Sequence, residues 1–146
     1  MARTIYFSGS ISGGRADLPL YRRIVDALEA AGHRVLAGSV TADHIGDDGE
    51  AIAPDTIFNR DLGWIEEAAR AEGILLAEVS LPSTGVGYEI AAARYRYQLP
   101  VICLYRPAHT RRCTAMVAGD AGIRLIEYTD ESVDAMLEQL RRALGE

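Results

Sequence analysis

Three places in the sequence carry residue types that do chemistry in combination. The first, Gly9-Ser-Ile-Ser-Gly-Gly-Arg15, is a glycine-rich turn between an apolar run and a helical stretch. Free backbone N–H groups at such a turn, helped by the helix dipole, hold a phosphate; the competing reading is a tight turn with no ligand. Gly9 and Gly14 have P-loop spacing, but Arg15-Ala16 stands where Lys and Ser/Thr are required, and no G-x-G-x-x-G is present, so ATPase and Rossmann dehydrogenase readings both weaken. The second place, Pro82-Ser-Thr-Gly-Val-Gly-Tyr-Glu89, is a loop that delivers a carboxylate into the first turn of a helix. There Glu89 either serves as nucleophile or base at a ligand site or only complements the helix dipole, which is worth about 0.3–1 kcal/mol. The third is Asp61, which falls inside the apolar stripe of a helix between Ile57 and Ile65. A carboxylate there is either paired by an Arg or a backbone donor, or it borders a cavity that holds a ligand.

Two carboxylates beside a phosphate cradle suit chemistry at a sugar carbon, one group attacking or stabilising an oxocarbenium-like centre and the other managing protons. Cleavage of the N-glycosidic bond of a nucleotide fits this inventory. Tyr6, beside the glycine turn, could reach a carboxylate at the site with its hydroxyl. Metal chemistry fits less well. His33, His44 and His109 are scattered without zinc-ligand spacing, and Asp43, Asp47 and Asp48 do not complete a calcium loop. Cys103 and Cys113 read as structural, Trp64, Tyr95 and Tyr97 as packing residues, and Arg111-Arg112 as either a solvated face or an anion funnel.

The elements that must position these residues alternate in type. Apolar runs at 4–7, 33–36, 74–79, 101–105 and 123–127 read as strands. Helical periods occupy 17–31, 54–71 and 88–98, a short segment at 113–118 and a terminal helix with the stripe Val133, Met136, Leu137, Leu140 and Leu144. Ile57, Phe58, Leu62 and Ile65 mark the buried stripe of the second helix, and 38–53 reads as a long loop. This order implies βαβ crossovers in an α/β three-layer fold with a mostly parallel five-stranded sheet. Ligands then bind beyond the carboxyl ends of the strands at the switch in strand order, which makes the residues after strands one, three and four the suspects.

At 146 residues and 15.8 kDa the chain suits a single domain over 1–146. All fifteen basic residues are Arg, against 21 Asp plus Glu, for a net charge of −6. Lysine Schiff-base and P-loop chemistry are excluded, and the summed field repels nucleic-acid polymers and anionic membranes. No apolar run approaches a membrane span and no signal core stands at the N-terminus, so the cytoplasm is the expected location.

The motifs Tyr6 to Arg15, Arg60-Asp-Leu-Gly-Trp64, Glu78 to Glu89 and Thr114-Ala-Met116 together resemble the 2′-deoxynucleoside 5′-monophosphate N-hydrolases of the nucleoside 2-deoxyribosyltransferase superfamily. The likeness runs from about Thr4 to Tyr128. It implies a flavodoxin-like fold, a homodimer, no cofactor, and hydrolysis of a nucleoside monophosphate to free base and sugar 5-phosphate. Glu89 would be the nucleophile that forms a glycosyl-enzyme intermediate, Asp61 would contact the base or sugar and assist proton transfer, and Tyr6 would orient Glu89. Phosphate contacts would come from Gly9, Ser10, Ile11, Ser12, Gly13 and Gly14, and from Ser83 and Gly85. The neighbouring subunit would add its Thr114 and Met116. Two positions depart from the family pattern: Thr114 replaces a Ser, and Ser12 a bulkier basic residue. Alternatives are a nucleoside 2-deoxyribosyltransferase, an N-hydrolase acting on the ribonucleotide CMP, and a non-catalytic nucleotide-binding module.

Overall fold

The computed structural model describes residues 1–11, 15–42, 49–109 and 112–146. Five strands, β1 (Thr4–Gly9), β2 (Arg34–Leu36), β3 (Ile74–Glu78), β4 (Val101–Tyr105) and β5 (Ile123–Glu127), form one sheet in the order β2-β1-β3-β4-β5. Every pairing is parallel, with Tyr6 opposite Leu75 and Gly9 opposite Glu78 in the β1–β3 ladder. The helices are α1 (Leu18–Ala30), α2 (Pro54–Arg70), α3 (Thr84–Ala91), α4 (Ala115–Ala118) and α5 (Val133–Ala143).

Because side chains alternate across a strand, each strand feeds both layers of the core. Ile5 and Phe7 of β1 pack with Ile24 and Leu28 of α1 and with Met136 and Leu140 of α5. Tyr6 points the other way, into the layer that holds Ile65 and Ala68 of α2 and Val86 and Ile90 of α3. Parallel strands covered on both faces must be apolar throughout, and β3 and β4 are buried along their whole lengths.

Three expectations need correction. The helix expected at 88–98 begins four residues earlier, at Thr84, because Ser83 caps it by accepting a hydrogen bond from the Val86 backbone N–H at 3.3 Å. Gly85 and Gly87, read as loop residues, therefore sit inside the helix, and Glu89 lies in its second turn. The α-helix ends at Ala91 and a π-helical stretch, Ala92–Arg96, completes the segment. Phe58, placed in the buried stripe of α2, is 44% exposed and stacks edge-on against Tyr88 of α3. Finally, the segment read as a loop after β2 contains a 3-10 turn at Gly38–Thr41. The expectations for Asp43, His44, Asp47, Asp48 and Arg111 lie outside the described residues.

Candidate active site

The strand order reverses between β1 and β3: from β1 the chain turns outward to β2, then crosses back to β3 on the other side. In sheets of this kind a ligand crevice is expected beyond the carboxyl ends of the strands at such a switch. Tyr6 of β1, Asp61 of α2 and Glu89 of α3 are brought within electrostatic reach of one another there. The Tyr6 ring is buried at 3% exposure, and its hydroxyl is hydrogen-bonded to the Glu89 carboxylate. Burial pushes Glu89 up to about 7, opposed by the Tyr6 hydrogen bond, raised further by the Asp61 charge and lowered by Arg60. Burial, with Glu89 and Asp61 nearby, also raises Tyr6, so the phenol keeps its proton and donates to Glu89. Among the described residues Glu89 Oε2 is buried without a hydrogen-bond partner. A part-buried carboxylate with one oxygen held by a donor and the other without a partner among the described residues can act chemically as a nucleophile or as a general acid or base.

Of the two sequence readings of Asp61, the Arg pairing is present: Arg60 Nε donates to Oδ1 at 2.9 Å, and the carboxylate lies within electrostatic reach of Glu89. Burial raises its carboxyl and the Arg60 pairing offsets part of that. The dipole reading of Glu89 loses its force, since a second-turn side chain stands beyond the first turn where that effect is concentrated.

Ser10 is 1% exposed, and its hydroxyl has no partner among the described residues. Gly9 stands where a Cβ would meet the Tyr21 ring at 2.9 Å, so the glycine lets α1 close against the strand end. Ser12, Gly13 and Gly14 lie outside the described residues. Thr114 and Met116 are not brought to the Tyr6–Glu89 pair. They line a groove of about 870 Å³ between α3 and α4, together with Thr84, Gly87, Ala91 and Arg94. The α3 positions among them, Thr84, Gly87 and Ala91, fall on one helical face, and Glu89 projects from the opposite one.

Sequence reasoning missed several residues around the site. Ser8 shares the strand face of Tyr6 and is likewise buried without a partner among the described residues; the two-residue period was the available signal. Arg106, 2% exposed, follows β4 and holds the carboxyl ends of the sheet together. Its guanidinium meets Asp17 at 2.5 Å, Asp130 at 3.0 Å and Ser80 Oγ at 3.1 Å, and Glu78 lies 3.5 Å away. Glu78 in turn accepts from the Ser80 N–H at 2.7 Å and from the Tyr128 hydroxyl. This hub ties the start of α1, just past the glycine turn, to the β3 end that leads into α3. A carboxylate closing a buried strand and an arginine following the next one were the signals for it. Beside Asp61, Trp64 packs into the core with Gly38 against its ring: a Cβ at Gly38 would come within 2.5 Å of that ring, and the glycine holds φ of +51°.

Known proteins resemble the chain in sequence and in fold. The 5-hydroxymethyl-dUMP N-hydrolase of Esox lucius is 36% identical over 97% of both chains. The human protein of the same name is 38% identical over 92% of this chain and 77% of its own. The Methanosarcina mazei protein named "Putative 2'-deoxynucleoside 5'-phosphate N-hydrolase 1" is 45% identical over 97% of this chain and 86% of its own. No family model matches the chain. The CMP N-glycosidase of Clostridium botulinum has the same fold, with a TM-score of 0.62 over 97% of this chain and 99% of that one, at 17% identity. An α/β sheet with its carboxylates gathered at the switch point, and relatives matched over nearly their full length, define an enzyme of the nucleotide N-glycosidase class. Within that class the chain belongs to the 2′-deoxynucleoside 5′-phosphate N-hydrolase family. No helix among the described residues is long and apolar enough to cross a membrane.

Proposed function

We propose that the protein hydrolyses the N-glycosidic bond of a 2′-deoxynucleoside 5′-monophosphate through a covalent glycosyl-Glu89 intermediate. The observation that supports this reading is the Tyr6–Glu89 hydrogen-bonded pair within electrostatic reach of Asp61. The Glu89 carboxylate attacks C1′, the C1′–N bond breaks with its electron pair going to the base, and the base nitrogen takes a proton with the help of Asp61. Water then attacks C1′, breaks the ester and releases Glu89 and 2-deoxyribose 5-phosphate. Tyr6 holds Glu89 in line and stabilises its ionised form.

The 5′-phosphate is held by the turn Gly9, Ser10, Ile11, Ser12, Gly13 and Gly14 and by Ser83 and Gly85 at the start of α3. The buried, unpartnered Ser10 hydroxyl supports this placement. Two copies of the chain pack as a homodimer through the groove between α3 and α4, where Met116 is 83% and Tyr95 75% exposed, and the partner contributes its Thr114 and Met116. No cofactor takes part. Remote binding of the phosphate is spent on holding C1′ over Glu89.

Chromatography for free base tests the reaction, using the four deoxynucleoside monophosphates, CMP and unphosphorylated deoxynucleosides, each with and without an acceptor base. Release from a deoxynucleoside monophosphate without an acceptor is expected. Release only with an acceptor would make the protein a transferase. In added methanol, a covalent route partitions the sugar phosphate to its methyl glycoside with retained configuration, whereas an inverted glycoside would remove Glu89 as nucleophile.

A further inference from the structure

Arg60 holds a position that the reaction above leaves unexplained. Its guanidinium makes a two-point contact with Glu50, Nη1 to Oε2 at 2.7 Å and Nη2 to Oε1 at 2.6 Å. Its Nε donates to Asp61 Oδ1 at 2.9 Å, and the planar group lies over the Trp64 ring, 4.9 Å from its centroid. A fork with donors in fixed directions can serve two carboxylates at once, and stacking fixes its plane. Two of its neighbours belong to α2 itself, while Glu50 precedes that helix, so Arg60 fastens the approach to α2 onto the site wall.

Three carboxylates meet here: Glu50 before α2, Asp61 on α2 and Glu89 on α3. Glu89 is faced by Tyr6 from β1 and by Asp61 and Arg60 from α2; Glu50 in turn faces Arg60 and Asp61. Neighbouring carboxylates disfavour one another's charge, and a cation among them reverses that. Asp61 has the direct ion pair. Glu89 feels the same cation from farther away, without a hydrogen bond to it.

We propose that Arg60 is a positioning residue for the reaction. Clamped between Glu50 and Asp61, it aims the Asp61 carboxylate and supplies the positive charge that lets Glu89 stand ionised beside a second carboxylate. Its catalytic consequence rests on Glu89 being the nucleophile; its electrostatic content does not. Asp61 and the Trp64 ring still hold Arg60 when Glu50 loses its charge, so on Glu89 the Glu50 charge acts by offsetting part of that of Arg60. Removing the Glu50 charge and removing the Arg60 charge therefore act on Glu89 in opposite directions.

The test is an NMR titration of the Glu89 carboxyl carbon in protein labelled with carboxyl-13C glutamate, with the resonance assigned by its loss in Glu89→Gln. Arg60→Gln is expected to move the Glu89 midpoint up by about half to one pH unit, and Glu50→Gln to move it down. Arg60→Lys keeps the charge and is expected to leave the midpoint near that of the natural protein. In Arg60→Gln, the ratio of kcat/KM at pH 6 to that at pH 8.5 is expected to fall about three- to sevenfold below the same ratio in the natural protein, a full unit deep on the acid limb being tenfold. An unmoved midpoint in Glu50→Gln and Arg60→Gln, or movement of both in one direction, would overturn the proposal, as would an equal loss of activity at every pH. If Arg60→Gln does not fold, Arg60→Lys and Glu50→Gln decide the matter by the same criteria. Midpoints that move as expected in a protein that releases no base would uphold this inference and overturn the proposed reaction instead.

Discussion

The Tyr6 hydroxyl on β1 is hydrogen-bonded to the Glu89 carboxylate on α3, with Tyr6 buried and Glu89 part-buried at the one place where the strand order reverses. The bond favours the ionised carboxylate while burial disfavours it, and burial is the larger effect. Tyr6→Phe keeps the ring that fills the core and deletes only the donor. Loss of about ten- to a hundredfold in kcat is expected, with the acid limb of the pH profile moved up, because the deleted bond favoured the charged form. A steady-state pH series on the variant checks both.

Glu89 itself carries a conflict between stability and activity. Its folded value of about 7 lies above its ordinary value of 4.5, so the folded state binds the proton more tightly than the unfolded one. Its contribution is intact below about pH 4.5 and declines as pH rises through 7, where the carboxylate must ionise while buried. Glu89→Gln is therefore expected to lose activity to background and yet to be more stable than the natural protein at pH 8, by about 1–3 kcal/mol, with little difference at pH 4.5. Urea unfolding at the two pH values measures this, and a variant less stable at pH 8 would contradict it.

Ser10 separates phosphate recognition from chemistry. Ser10→Ala removes a buried hydroxyl without breaking a bond among the described residues, so the fold should be kept. A decrease of roughly tenfold in kcat/KM for the monophosphate, and none for the unphosphorylated nucleoside, is expected from the loss of one charge-assisted hydrogen bond. Parallel assays on the two substrates distinguish this from general damage.

The Arg106 hub makes an unequal set of predictions. Arg106→Met leaves Glu78 and Asp17 buried beside an absent cation and is expected to destabilise the protein by about 3–5 kcal/mol. Asp130 contacts the same guanidinium but its side chain is 57% exposed, and Asp130→Asn is expected to cost less than about 1 kcal/mol. Chemical denaturation of both variants checks the contrast.

The sequence shows the layers more readily than the helix starts. Val101–Tyr105 is a strand with the bounds its apolar run indicates, since in a covered parallel strand burial and composition report the same thing, and Ile123–Glu127 keeps its expected bounds as a partly exposed edge strand. The start of α3 was hidden because Gly85 and Gly87 have turn propensity, and the cap that overrides it depends on one serine. Phe58 was misplaced because its partner, Tyr88, comes from another helix. Asp61 stood out as a charge in an apolar stripe and Glu89 by its position after a strand, and the fold brings both to Tyr6. The Arg106 hub joins residues far apart in sequence, which no local pattern records, while the Arg60 clamp lies within 50–64 but depends on how the approach to α2 folds back on the helix.

Trp64 is the only tryptophan in the chain, and it stands against Gly38 with the Arg60 guanidinium over its ring, one helical turn from Asp61. The protein thus carries an intrinsic fluorophore in contact with the Arg60 guanidinium that pairs with Asp61. Any ligand that shifts Arg60 changes the emission of that indole, so occupancy can be followed by light in the unlabelled enzyme, including in variants that no longer turn over.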